Sequence, residues 1–385
     1  VDGKGRCRCI RKGQACKPSQ TCCNGRECVD GVCGGAAKDV CMVCASGCKY
    51  TSVSAAYAGE PAGTVIPIAA GRYGTGIAVT KSVTLKACNG VSGVVLYPDG
   101  SVTTDYYGPP QPVIIKEEPT RTVAATMKLI GLTLEPSAPA AAESLIEATD
   151  WGVATDLSFE LTGCDLSGTS PCMAVTFGSH VVTNTTIHDC TTYGIEIDTE
   201  SSRQLSMDIT DSRFINNSVY GAYIETAFEK ASRANHPTTI TNTTFSGNGA
   251  AGAYIGGGIV TITGCTAQGN GATNAGKGGG FELADLDVTI TDTSISGNQA
   301  SDWGGGLSMA AGNSLEGTLT LAGSTVVTGN TAPAGAGLAV DTSVGATITV
   351  TGASTSSVYG NSGPDQCALN TVRPVNWQPV ASCAY

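Results

Sequence analysis

The acidic side chains Asp189, Asp198, Glu200, Asp208 and Asp211, with His188 beside the first, are the residues whose types suit acid–base chemistry. Glycoside hydrolysis needs two carboxylates facing each other across a cleft. If the protein is an enzyme, Asp189, Asp198, Asp208 and His188 are its catalytic candidates. Spacing argues against that. Asp211 and Asp292 occupy the same turn position as Asn184 and Asn242, a place for solvated turn residues. Asp285 and Asp287, ahead of the apolar segment at 290, read as an acidic turn, although paired carboxylates there could bind a cation. His180, His188 and His236 are expected on different coils or loops, with no conspicuous Ser or Cys partner. No convergent acid–base set is expected, and neither a cofactor nor a resident metal is implied.

Threonine and asparagine carry the next signals. Thr239, Thr261, Thr289, Thr318 and Thr347 each stand two residues before another threonine, so five consecutive segments bear Thr-x-Thr. On one flat face they would form a regular array, though threonine is also well suited to any exposed parallel strand. Asn184, Asn216 and Asn242 lie in Asn-x-Ser/Thr sequons, the acceptor pattern for glycosylation in secreted proteins. Seventeen cysteines, ten of them within the first 48 residues, imply an oxidising compartment and an extracellular or cell-surface location. An odd count leaves at least one cysteine without an intrachain partner; Cys7 and Cys265 are the expected remainders.

The elements that must position these residues repeat. An apolar residue followed at once by threonine recurs every 21 to 31 residues, at Leu161, Val182, Ile209, Ile240, Ile262, Ile290, Leu319 and Ile348. Strand side chains alternate faces, so the apolar members point inward and the threonines outward. Five residues on stand Leu166, Ile187, Phe214, Phe245, Ala267 and Ile295; eight on stand Asn217, Asn248, Asn270 and Asn298. Asn330 and Asn361 continue that column after short insertions. Asparagine at one recurring turn tolerates left-handed backbone and bonds to its counterparts in adjacent coils. Glycine clusters follow with another apolar residue: Gly256 to Gly258 with Ile259, Gly278 to Gly280 with Phe281, Gly304 to Gly306 with Leu307, and Gly337 with Leu338. Fixed periods of this length mark a solenoid. The expected fold is therefore all-β, a right-handed parallel β-helix of roughly eleven coils, on the order of 50 Å long at ~4.8 Å per coil, with a small disulfide-rich N-terminal domain. Only 5% aromatic residues and 51 glycines fit its narrow core.

Three parts follow from composition. Residues 1–40 form a cysteine-rich head and residues 41–366 the β-helix, capped by a helix within about 49–60 that buries Val53, Ala56 and Tyr57 over the first coil. Residues 367–385 leave the repeat, where Cys367 and Cys383 would staple a terminal cap. Pro109, Pro110, Pro112 and Pro119 predict a loop over 105–122. Residues 1–50 hold nine Lys and Arg against four Asp and Glu, a net charge of +5, leaving −16 for the remainder. An acidic rod repels nucleic acid, and no run of 18 apolar residues could span a membrane.

The spacing Cys9, Cys16, Cys22, Cys23, Cys28, Cys33 resembles the inhibitor-cystine-knot (knottin) family, which implies pairing of Cys9 with Cys23, Cys16 with Cys28 and Cys22 with Cys33. Spacing alone leaves 15 connectivities open. Residues 40–88 look like the opening of many secreted right-handed parallel β-helix proteins, with a cysteine cluster, a short helix, a Gly-Thr-Val-Ile strand and a Gly-Arg-Tyr turn. The repeat over about 300 residues resembles the pectate-lyase-like superfamily. Phe214-Ile-Asn-Asn217, Phe245-Ser-Gly-Asn248 and Gly305-Gly306-Leu307 resemble the repeats of polymorphic membrane proteins and related adhesins. YGIEIDT at 193–199 is similar to the acidic strand of polygalacturonases, but that family's Asn-Thr-Asp and Arg-x-Lys strands are missing from this chain. The Thr-x-Thr array resembles the ice-binding face of some β-solenoid antifreeze proteins. These resemblances specify geometry better than function. They point to a secreted structural or adhesive surface protein, and the basic head, acidic rod and odd cysteine count add the expectation that it is the subunit of an extracellular filament assembled head to rod, with self-association, other surface proteins or polysaccharide as partners. The alternatives are a polysaccharide-active lyase or hydrolase and a solenoid that binds ice or carbohydrate.

Overall fold

The computed structural model describes Cys28–Val29, Val32–Cys33 and residues 41–90, 92–100, 113–116, 124–137, 144–148, 157–176, 178–198, 205–226, 233–271, 276–310, 317–342, 348–351, 358–363, 365–370 and 377–379. Cys7 and the side chains of the knottin-like framework fall outside the described residues, as do Glu200 and Cys383; of the head, the hairpin backbone Cys28–Val29 against Val32–Cys33 is described. Cys41–Cys88 and Cys44–Cys48 are disulfides of the N-terminal region.

Each coil contributes one strand to each of three parallel sheets. Among the described residues, sheet A runs from Val65–Ile68 to Ile348–Thr351 and sheet B from Gly71–Thr75 to Val358–Tyr359, each with 11 strands; sheet C begins at Ile77–Val79 and has 12. This is the right-handed parallel β-helix that the periodicity predicts. Strands alternate as expected, with Thr239 and Thr261 exposed and Ile240 and Ile262 fully buried. The inward column of sheet A links Leu129, Leu161, Val182, Ile209, Ile240, Ile262 and Ile290 in register. The helix Val53–Gly59 buries Val53, Ala56 and Tyr57, and its N-cap Ser52 accepts from the Ala55 N–H.

Four details depart from the sequence expectations. Ile290 pairs with Leu321 rather than Leu319, so the strand Gly317–Ala322 sits two residues off the expected register; an offset of two keeps every inward residue inward. The same slip divides the threonine array. Thr239, Thr261 and Thr289 align with Thr320, whereas Thr291 meets Ala322 and Thr318 meets Asp287. Gly256 to Gly258 lies at the corner between sheets C and A, and Ile259 is 45% exposed. Ile114–Lys116 is a strand of sheet C paired on both sides within the proline-rich stretch, because its prolines flank it, and the Gly-Arg-Tyr segment opens the sheet B strand Gly71–Thr75.

Two polar ladders run inside the corners. At the B–C corner the Nδ2 groups of Asn217, Asn248, Asn270, Asn298 and Asn330 each donate to the Oδ1 of the next asparagine at 2.9 Å, and the last, Asn361, donates to Gln366 Oε1 at 3.0 Å. Each backbone N–H in the series reaches the same oxygen, as Asn248 N does to Asn270 Oδ1 at 3.0 Å. At the A–B corner, backbone N–H groups bond to the side-chain oxygen one coil on, from Cys164 to Thr185, Thr185 to Ser212 and Ser212 to Thr243. The series resumes from Cys265 to Thr293 and Thr293 to Thr325. Cys164 and Cys265 are unpaired and buried in this column, and burial pushes both thiols up to about 11.

Asn270→Ala would strand the Asn248 N–H and amide in a dry corner. Urea unfolding should show a loss of at least about 3 kcal/mol, from ~1–3 kcal/mol per unsatisfied buried group. Cys265→Ser restores the missing hydroxyl acceptor and should raise stability by about 1 kcal/mol, read as a higher urea midpoint with an unchanged slope.

Candidate functional site

The acidic candidates lie on three different faces. Asp208 belongs to sheet A, where Thr210 Oγ1 donates to its Oδ1 at 3.1 Å. His188 belongs to sheet B, with Nδ1 2.6 Å from Asp189 Oδ2 and Nε2 3.0 Å from Asp165 Oδ1. Asp198 belongs to sheet C. In a three-sided coil, residues ten apart in sequence are turned onto different faces, so proximity in sequence did not bring these acids together. Asp189, Asp211 and Asp292 have left-handed backbone, as do the exposed sequon asparagines Asn184, Asn216 and Asn242. Asp287 faces Arg233 Nη1 at 3.5 Å. His180 is buried against Phe159, whose N–H donates to its Nδ1, and desolvation holds His236 below the usual imidazole range. Among the described residues no group of three or more His, Cys, Asp or Glu could hold a metal ion.

A different set converges on the outward face of sheet C. The strands Ile195–Asp198, Tyr220–Glu225, Ala251–Gly256 and Phe281–Ala284 place Glu196, Tyr223, Tyr254 and Glu282 on successive rungs of one column. The second column begins with Asp198 and Glu225, then reaches Gly256, over which Tyr254 Oη hangs at 3.1 Å from where a Cβ would stand. Tyr193 and Tyr220 flank them. Rings of Tyr223 and Tyr254 stack at 4.8 Å and 11°, those of Tyr193 and Tyr223 at 5.2 Å, and those of Tyr193 and Tyr220 at 5.8 Å. All four tyrosines are half-buried.

Glycine sets this stripe close to the backbone. A Cβ at Gly194, Gly221 or Gly252 would come within 2.4 to 2.6 Å of the carbonyl oxygen one coil on, so the chain entering these strands can carry no side chain. The phenols hold the carboxylates: Tyr220 Oη donates to Glu282 Oε2 at 3.0 Å, and Tyr223 Oη donates to Glu225 Oε2. Burial raises the Glu282 carboxyl above the usual range against the opposing pull of Tyr220 and Lys277, and burial with Asp198 nearby raises Glu196. Burial also holds the phenols of Tyr220, Tyr223 and Tyr254 protonated. Lys277 itself stands 4.9 Å over the Trp303 ring. One rung beyond Glu282, Ser308 is 1% exposed, and its Oγ has no hydrogen-bond partner.

This face is a stack of tyrosine rings edged with carboxyls, suited to packing against a sugar and bonding its hydroxyls. The signal for it was in the sequence. Tyr193-Gly194 and Tyr220-Gly221, with Gly252 and Gly280, give a glycine column against which the outward positions of sheet C align. Glu282 also carries a pH signature. Its raised folded-state value means that the folded protein holds this proton more tightly than the unfolded chain. The stability involved is present below the ordinary carboxyl range and lost as pH rises through the raised value. Glu282→Gln should therefore melt higher than the parent at pH 7, with the difference disappearing in acid, as followed by circular dichroism.

Residues 174–363 match the family described as the right handed beta helix region. None of the curated proteins matches the sequence. Among solved structures, the catalytic unit of a thermostable GH87 alpha-1,3-glucanase from Streptomyces thermodiastaticus strain HF3-3 aligns over 88% of this chain and 71% of its own, at 14% identity and a TM-score of 0.30. Likeness at that level carries no functional information. With three parallel sheets built coil by coil, and the family match across residues 174–363, the chain is a right-handed parallel β-helix protein.

Proposed function

We propose that the protein is a secreted β-helix that binds polysaccharide along the outward face of sheet C and acts as an adhesive surface protein. The observation that carries this reading is the four-tyrosine platform over Glu196, Glu225 and Glu282. Disulfides at Cys41–Cys88, Cys44–Cys48 and Cys172–Cys190 support secretion, and the exposed Asn184, Asn216 and Asn242 fit glycosylation. Assembly head to rod rests on the charge split and the odd cysteine count. The ice-binding alternative loses support, because its two threonine columns run together through only the coils of Thr239, Thr261 and Thr289 before the register slips.

A second reading, a polysaccharide-active enzyme, is favoured by the raised carboxyls of Glu196 and Glu282, since burial that makes a carboxyl hold its proton more tightly is what a general acid requires. One experiment separates the two. The full chain is titrated with soluble polysaccharides while reducing and unsaturated ends are assayed. Tyr223→Ala and Tyr254→Ala should each weaken binding about tenfold, or about 1.4 kcal/mol, while His188→Ala on sheet B should not. Release of new ends that stops on Glu282→Gln would make the protein an enzyme. Unchanged affinity in both tyrosine variants would end the proposal for this face.

A further inference from the structure

Given a glycan on this platform, the charge around the rings restricts which glycan it can be. Glu196, Asp198, Glu225 and Glu282 surround Tyr223 and Tyr254, and all four point to the solvent side of the sheet. The cation that reaches Glu282 is Lys277, which is already placed over Trp303. A polymer carrying carboxylate or sulfate groups would bring like charge onto this surface. A neutral polymer would gain the contact with the rings but add no counter-charge to Glu196 and Glu225.

We infer that the platform recognises a polysaccharide bearing free amino groups. Two features of the site fit an ammonium better than a hydroxyl. Carboxylates at both ends of the Tyr223–Tyr254 pair, about 14 Å apart over three rungs of ~4.8 Å, offer charge-assisted bonds to ammonium groups on successive sugars. Glu196 and Glu282 are costly to ionise where they stand, so an arriving cation relieves a cost that a neutral sugar leaves in place. The cation beside this column, Lys277, is held over the Trp303 ring.

This inference rests on the glycan-binding proposal, and the test separates the two. Three probes are titrated into the full chain at pH 7 and 0.15 M salt: a β-1,4-linked glucosamine polymer, its fully N-acetylated oligomer and polygalacturonate. The glucosamine polymer should bind at least tenfold more tightly than the acetylated oligomer, and polygalacturonate should not bind. A double variant, Glu225→Gln with Glu282→Gln, should remove most of that advantage. Because a polycation is drawn to any acidic rod, a charge-matched control, Asp208→Asn with Asp165→Asn on the other two faces, should keep it. Equal binding of the amino and acetylated forms would overturn the inference while leaving a glycan platform. Equal losses in the two double variants would also overturn it, showing attraction to the net charge alone. If none of the three probes binds, the glycan-binding proposal falls with it.

Discussion

A buried primary amide has two donors and one acceptor oxygen to satisfy, and identical amides stacked about 4.8 Å apart satisfy them against one another. The corner asparagines from Asn217 to Asn361 do this without a break. Each Nδ2 also reaches a backbone carbonyl of the preceding coil, as Asn270 does to Phe245 O at 3.1 Å. One side chain therefore ties three coils together. The arrangement fixes the rise, the register at that corner and the direction in which the chain leaves it. Stacked inward rings, Phe214 on Phe245 at 5.0 Å, can tolerate no other spacing.

The outward face of sheet C inherits its order from that corner. Gly221 and Gly252 follow the asparagine turn, Gly194 follows the matching Cys190 whose N–H bonds to Asn217 Oδ1, and all three press against the carbonyl of the next coil, so the residues after them leave the corner at one height and angle. Tyr223 and Tyr254 are stacked by the backbone before any ligand arrives. A platform held this way loses little side-chain freedom on binding, and lost freedom is among the larger costs of association. Rigidity here comes from polar groups out of reach of water. The functional groups stay half exposed.

Much of this was legible from residue types alone. Inward columns and the asparagine series follow from alternation and from the rarity of buried amides, and both survive insertions because a corner can lengthen without moving the strands. Register across a variable corner was not legible. Choosing Leu321 over Leu319 to follow Ile290 depends on where the chain re-enters the sheet after Ala310, and apolar residues two apart are equivalent in pattern. The tyrosine stripe escaped for a related reason. Threonine and asparagine set the frame of the repeat, and although Tyr223 and Tyr254 each stand six residues after Asn217 and Asn248, Glu282 stands twelve after Asn270 and Glu196 follows Cys190 instead of an asparagine, so the column keeps its phase over two coils alone. The acids that drew attention, Asp189 and Asp208, were conspicuous by sequence density, a property that a three-sided coil scatters.

The last described strand, Trp377–Pro379, pairs with Cys367–Asn370 in the antiparallel sense, whereas the other pairings in sheet C are parallel. A parallel solenoid has no intrinsic length, and its open terminal strand is a template on which another chain can crystallise in one dimension. A reversed strand presents the wrong polarity of donors and acceptors for that growth. The turnaround thus works as a chain terminator for the fold on this face, and keeps a sequence rich in stackable repeats from seeding an endless fibre through the edge of sheet C.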